Sequence, residues 1–161
     1  MLLGALLFSG PAEGFGWTVS VDPLTTALGF AHVQVEHSFG PRVSIYAGPN
    51  LRLYDGVLAT VNGPYLGLGS EVGLRGFVTG TAPEGAWVMV RGVLARVSTE
   101  SPRHAARLGG YTSGLVGYTG ILGPGFVLSG GLGVSWFDYG VGDWGVHGVL
   151  PAAHTNIGWA L

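Results

Sequence analysis

The sequence predicts an all-β fold, an eight-stranded antiparallel up-and-down transmembrane β-barrel, on three observations. Charged residues make up only 10% of the 161-residue chain while Gly reaches 31 copies. A soluble barrel of this size needs far more charge to keep its outside wet. Apolar and polar residues alternate with period two along segments of about ten residues or more, the length a tilted membrane-crossing strand requires. Apart from the first, near Gly29, the connections between these segments alternate short and long, as periplasmic turns and outer loops do. The five Trp, six Tyr and seven Phe exclude a disordered Gly-rich chain.

The opening residues 1–15 run apolar from Met1 to Phe8 and break at Pro11. They have the apolar core of a secretory signal without its positive start, so a signal-peptide remnant or an N-terminal extension is expected there. The barrel is expected over residues 16–161. Its first strand, 17–28, contains Asp22-Pro23; a closed barrel has no free edge, so Pro23 must sit at a bulge or near a strand end. In 30–39, Ala31, Val33, Val35 and Phe39 alternate with His32, Gln34 and Glu36. In 42–54, Val43, Ile45, Ala47, Leu51 and Leu53 oppose Ser44, Tyr46, Gly48, Asn50, Arg52 and Tyr54. In 66–80, Leu66, Leu68, Val72, Leu74 and Val78 oppose Glu71, Arg75 and the intervening glycines.

Segments 86–98 and 108–122 alternate poorly. In the first, Arg91 turns inward, because a mid-strand Arg facing lipid costs ~2–4 kcal/mol; the second receives no facing. In 126–139, Phe126, Leu128, Leu132, Val134 and Trp136 oppose Ser129, Gly131, Gly133 and Ser135. In 150–161, Ala153, Thr155, Ile157, Trp159 and Leu161 oppose His154, Asn156 and Gly158. The stretch 108–137 carries no charge over 30 residues, yet holds ten Gly and Gly123-Pro124-Gly125. At about 1 kcal/mol per Gly and 3 per Pro it cannot be a helix, and two strands joined by a tight turn replace it. Short turns fall near Gly40-Pro41, residues 80–85 and residues 123–125; longer loops fall at 55–64, 99–107 and 140–149. Trp17, Phe39, Phe126, Trp136, Tyr139 and Trp159 lie near strand ends, where interfacial aromatic girdles belong.

Chemistry is sparse. With no cysteine, disulfides, thiolate catalysis and Cys-type zinc sites are excluded. A net charge of −2 without a basic run excludes nucleic acid as a partner. The glycine runs lack the Lys-Ser/Thr ending of a phosphate loop. The inward set His32, Gln34, Glu36, Arg52, Glu71, Arg75 and Arg91 is expected to form a polar network that plugs the lumen. Glu71 and Arg75, four apart on one strand, face the same way, and opposed charges in a narrow lumen should pair. A hydrolase set of His32 and Glu36 with Ser38 or Ser44 is set against this plug, as is a gated polar path. No catalytic residue, metal site or cofactor is assigned. Loop residues Glu100, His104, Asp143 and His147 are too scattered for a cation site. Arg103 and Arg107 could meet lipopolysaccharide phosphates.

Residues 74–80 (Leu-Arg-Gly-Phe-Val-Thr-Gly) followed by Ala82-Pro83-Glu84-Gly85 resemble a strand-turn element of small bacterial outer-membrane barrels of the OmpA/OmpX-like kind. Residues 125–134 resemble their penultimate strand and residues 156–161 their closing strand, although the chain ends on Leu161 where such barrels usually end on Phe. The resemblance implies an outer-membrane location with both termini periplasmic. It also implies contact with lipid, lipopolysaccharide and the assembly machinery, and a monomer. The function expected is non-enzymatic, structural or surface-interacting, with a narrow pore or a lipid-A-modifying enzyme as alternatives.

Overall fold

The computed structural model describes residues 16–52, 65–99, 104–141 and 144–161. Eight strands close into one antiparallel barrel, each paired with its neighbours in sequence order and the last with the first. They are β1 (Trp17–Val21), β2 (Phe30–Ser38), β3 (Val43–Arg52), β4 (Tyr65–Phe77), β5 (Gly85–Thr99), β6 (Ala105–Leu122), β7 (Phe126–Val141) and β8 (Trp144–Ala160), with one short helix, α1 (Pro23–Ala27), between β1 and β2. The expected all-β, eight-stranded antiparallel up-and-down barrel is what is found.

The register fixes the stagger. From Trp17 the paired residues run through His37, Ile45, Leu74, Val90, Gly114 and Val134 to Pro151 on β8. Trp17 itself exchanges backbone hydrogen bonds with Leu161, ten residues further on. Eight strands with that displacement tilt by about 40° and leave an interior that side chains fill.

Period two then sorts every strand. Leu66, Leu68, Val72, Val88, Val90, Leu94, Val116, Leu132, Val134 and Val149 are among the large apolar side chains on the outside. The inside holds Asp22, Glu36, Glu71, Arg52, Arg75 and Arg91, all at 5% exposure or less. Where β6 gave no readable face, Tyr111, Ser113, Leu115 and Thr119 point in and Leu108, Val116 and Tyr118 point out. Several inward glycines make room for rings: a Cβ at Gly73 would overlap the Tyr46 ring, and one at Gly117 or Gly131 would overlap Trp87. The turn glycines Gly123 and Gly125 have φ of +56° and +129°, which side chains with a Cβ resist.

Four expectations change. The first strand does not reach residue 28: it stops at Val21, and Asp22-Pro23 starts α1. The Asp22 carboxylate accepts from the Thr25 N–H at 3.1 Å as N-cap, and Pro23 occupies the first turn, where its missing N–H costs nothing. The loops expected at 99–107 and 140–149 are shorter, because β5, β6, β7 and β8 continue to Thr99, from Ala105, to Val141 and from Trp144. Tyr139 is fully buried in the lumen, under Phe30, Tyr65 and Tyr111, and belongs to no girdle. Trp17, Phe39, Phe126 and Trp159 do cluster at the end that carries the termini and the short turns, with Trp17 stacked on His37 at 4.3 Å. Trp136 is exposed on the wall towards the other end. Expected loop 55–64 lies outside the described residues, as do Leu53, Tyr54 and residues 1–15.

Candidate functional site: the polar lumen

All seven residues expected to face inward do so, and they form connected layers. Nearest the short turns, Trp87 Nε1 donates to Thr119 Oγ1 at 2.9 Å, and Thr119 and Ser129 share a hydrogen bond of 2.8 Å. Above them, Arg75 Nη1 donates to both oxygens of Glu36, at 3.0 and 2.8 Å, and Ser44 donates to the same carboxylate. The Arg75 guanidinium lies over the Trp87 ring, 4.8 Å from its centroid.

The next layer is built on His154, which lies on the inward face of β8. Its Nδ1 is 3.1 Å from Asp22 Oδ2 and 3.3 Å from Arg91 Nη1, and its Nε2 is 3.5 Å from Arg75 Nη2. Asp22 also accepts from the Thr155 hydroxyl at 2.9 Å, so one carboxylate both caps α1 and ties it to β8. Arg91 Nε donates to Ser113 at 3.3 Å, and Ser113 and Ser135 are 2.6 Å apart. Further up, Glu71 accepts from His32 Nδ1 at 2.8 Å and Gln34 Nε2 at 2.6 Å. Gln34 Oε1 accepts from Asn156 at 2.7 Å, and Asn50 donates to the Tyr111 hydroxyl at 3.3 Å. At the top, Arg52 sits 3.4 Å from the centroid of the Tyr65 ring and donates to the Tyr65 carbonyl.

The expected pairing of Glu71 with Arg75 is not made. Glu36 reaches Arg75 instead: Ser44 of β3 donates to the Glu36 carboxylate and is the β4 register partner of Arg75, which brings the two charges together across β3. Glu71 is taken by His32 and Gln34. Sequence reading named neither Asp22 nor His154 for the network. The signal for His154 was its inward parity; for Asp22 it was the Asp-Pro pair, which the sequence reading placed at a bulge or strand end and which in fact caps α1. Among the described residues, three buried carboxylates (Asp22, Glu36, Glu71) equal three buried guanidiniums (Arg52, Arg75, Arg91) in number, although Arg91 has no carboxylate within ion-pair distance. Such balance, with hydrogen bonds in hand, is what lets ions stay in a narrow dry interior.

The arrangement does not assemble the hydrolase set. His32 bonds to Glu71, whereas Ser44 bonds to Glu36. Ser113 and Ser135 bond each other. Among the described residues, no group of three His, Asp or Glu could hold a metal ion. His147 pairs with Asp138 at 3.1 Å, while His104 stands exposed; Glu100 and Asp143 lie outside the described residues. Of the two arginines expected at lipopolysaccharide, Arg103 lies outside the described residues, and Arg107 is ion-paired with Asp138. No protein-family model, curated protein or solved structure matches the chain.

Proposed function

We propose that the chain is an integral outer-membrane barrel whose lumen is plugged by its own side chains, and that its role is non-enzymatic, structural or surface-interacting. One observation carries the reading: the barrel is inverted, with Leu68, Val90, Leu94, Leu132 and Val149 more than 60% exposed outside and six charges buried inside. In water such a surface would aggregate; a bilayer accepts it, and a closed barrel leaves few backbone groups for lipid to strip of partners. The aromatic belt at the termini end supports a periplasmic placement of both termini, as the resemblance to OmpA/OmpX-like barrels implies. Its partners are then membrane lipid, lipopolysaccharide and the assembly machinery, with the monomer as the working form.

The layered ion pairs support a plug over a pore, since a conducting path would have to break charge-assisted bonds at Glu36, Glu71 and Asp22 together. The alternative, a lipid-A-modifying enzyme, would need a serine bonded to a histidine at the outer rim and would change lipid A mass on expression. Fractionation and planar-bilayer recording test the proposal. Recovery in the outer-membrane pellet with no discrete conductance steps is the expected result; a soluble protein overturns the membrane reading, and steady ohmic steps overturn the plug.

A further inference from the structure

The barrel wall is incomplete at one place. Strand β1 meets β8 only from Trp17 to Val21, opposite Leu161 to Ile157. Five residues at ~3.3 Å each, tilted by about 40°, raise about 12 Å of wall, under half of a ~25 Å apolar band. Beyond Val21 the gap between β2 and β8 is occupied by α1, which touches both. Backbone parity shows which groups of β8 face that gap. Ala160 N–H bonds to Gly125 next to β7, and Leu161 N–H bonds to Trp17 on β1, so odd-numbered residues of β8 face β1. Thr155 N–H accordingly meets Asp22 at 3.4 Å. Pro151, which has no N–H to give, also falls on that side, so it leaves the β7 ladder whole and marks the edge as one built without a strand partner.

Behind this seam lies a cavity of about 110 Å³. It is lined by three consecutive residues of β8, Pro151, Ala152 and Ala153, and on the other bank by Thr25, Leu28 and Phe30. Successive residues of a strand point to opposite faces, so lining by three in a row means the cavity wraps the strand edge and opens sideways through the wall. Its inner end is polar: Arg91 and Ser135 reach it, and Arg91 is 3% exposed. Arg91 Nε donates to Ser113, its Nη1 lies 3.3 Å from His154 Nδ1, the ring nitrogen that also faces Asp22, and no carboxylate lies within ion-pair distance of Arg91 among the described residues. A guanidinium with unused donors at the foot of an apolar slot suits one planar anion.

We infer that this seam is a lateral binding site for a single-chain fatty-acid carboxylate, its head on Arg91 and Ser135 and its chain leaving between α1 and β8 into the bilayer. The cavity holds a carboxylate and a few methylenes, whereas a phosphoglycerol headgroup is too large for it. The inference rests on the membrane reading, which the folded-barrel gel shift reports separately.

Binding of tritiated palmitate to the refolded barrel in dodecylmaltoside tests it, with hexadecanol and lysophosphatidylcholine as competitors. Saturable binding near one per chain is expected, with both competitors at least about tenfold weaker and Arg91→Gln weaker by about tenfold or more. Ala152→Phe, which fills the slot without touching a charge, should abolish binding while retaining the gel shift. Absence of saturable binding to a heat-modifiable barrel overturns the inference. So does unchanged binding in Ala152→Phe, or equal competition by hexadecanol or lysophosphatidylcholine.

Discussion

Arg75 and Glu36 lie almost fully buried and share two hydrogen bonds, at 3.0 and 2.8 Å. Removing one partner leaves the other charged in a dry lumen, so Arg75→Met alone should destabilise the barrel by about 3–5 kcal/mol. Replacing both, as Glu36→Leu with Arg75→Met, should cost clearly less than the sum of the single changes, because neither charge is left behind. Urea unfolding of the barrel refolded into lipid vesicles measures both. Glycines divide by the same logic of space. A Cβ at Gly73 overlaps the Tyr46 ring, whereas one at Gly114 meets nothing within 4 Å. Gly73→Ala should therefore cost about 1–3 kcal/mol and Gly114→Ala should change the unfolding midpoint little. Which residues face inward was legible in the sequence, since His32, Gln34, Glu36, Glu71 and Arg75 stand on polar parities. Which charges pair was not legible, because Glu36 finds Arg75 through the offset of three strands, a distance that no single segment encodes.

At the scale of elements, strands with polar inner faces could be read and strands with glycine on both faces could not. β3 alternates Ser44, Tyr46, Asn50 and Arg52 against apolar partners, and its face follows at once. β6 turns Tyr111 and Leu115 into the lumen and sets Gly110 and Gly114 outside, so hydropathy carries no sign there. β5 was oriented by Arg91 alone, since one buried guanidinium outweighs an ambiguous pattern, and Arg91 is indeed buried. α1 escaped because its five residues make little more than one turn, too few for a helical periodicity to show, and the only signal was the Asp22-Pro23 pair. Asp22→Ala removes that cap and the tie to Thr155 and His154 together. It should lower stability by at least the ~0.5–2 kcal/mol of a lost N-cap, and speed protease cleavage between β1 and β2 in intact vesicles. On the outer wall, Val90 is 62% exposed at mid-strand. Val90→Arg should cost ~2–4 kcal/mol in a bilayer; in a soluble barrel the same change would be close to neutral.

The whole molecule is an inversion of a soluble protein, with its charges inside and its apolar side chains out, closed by a ten-residue stagger over eight strands. Composition already pointed there, because 10% charged residues cannot both hydrate a surface and fill a polar lumen. What composition could not give is the defect in the closure, where a five-residue strand yields to a helix and the wall gains a seam. The central claim, a closed barrel made for a bilayer, is tested most directly by an electrophoretic comparison of boiled and unboiled samples of the detergent-extracted outer-membrane fraction. The account predicts a faster band that appears only without boiling, since the intact barrel stays compact in dodecyl sulfate. A freely soluble protein that runs identically in both lanes would contradict it.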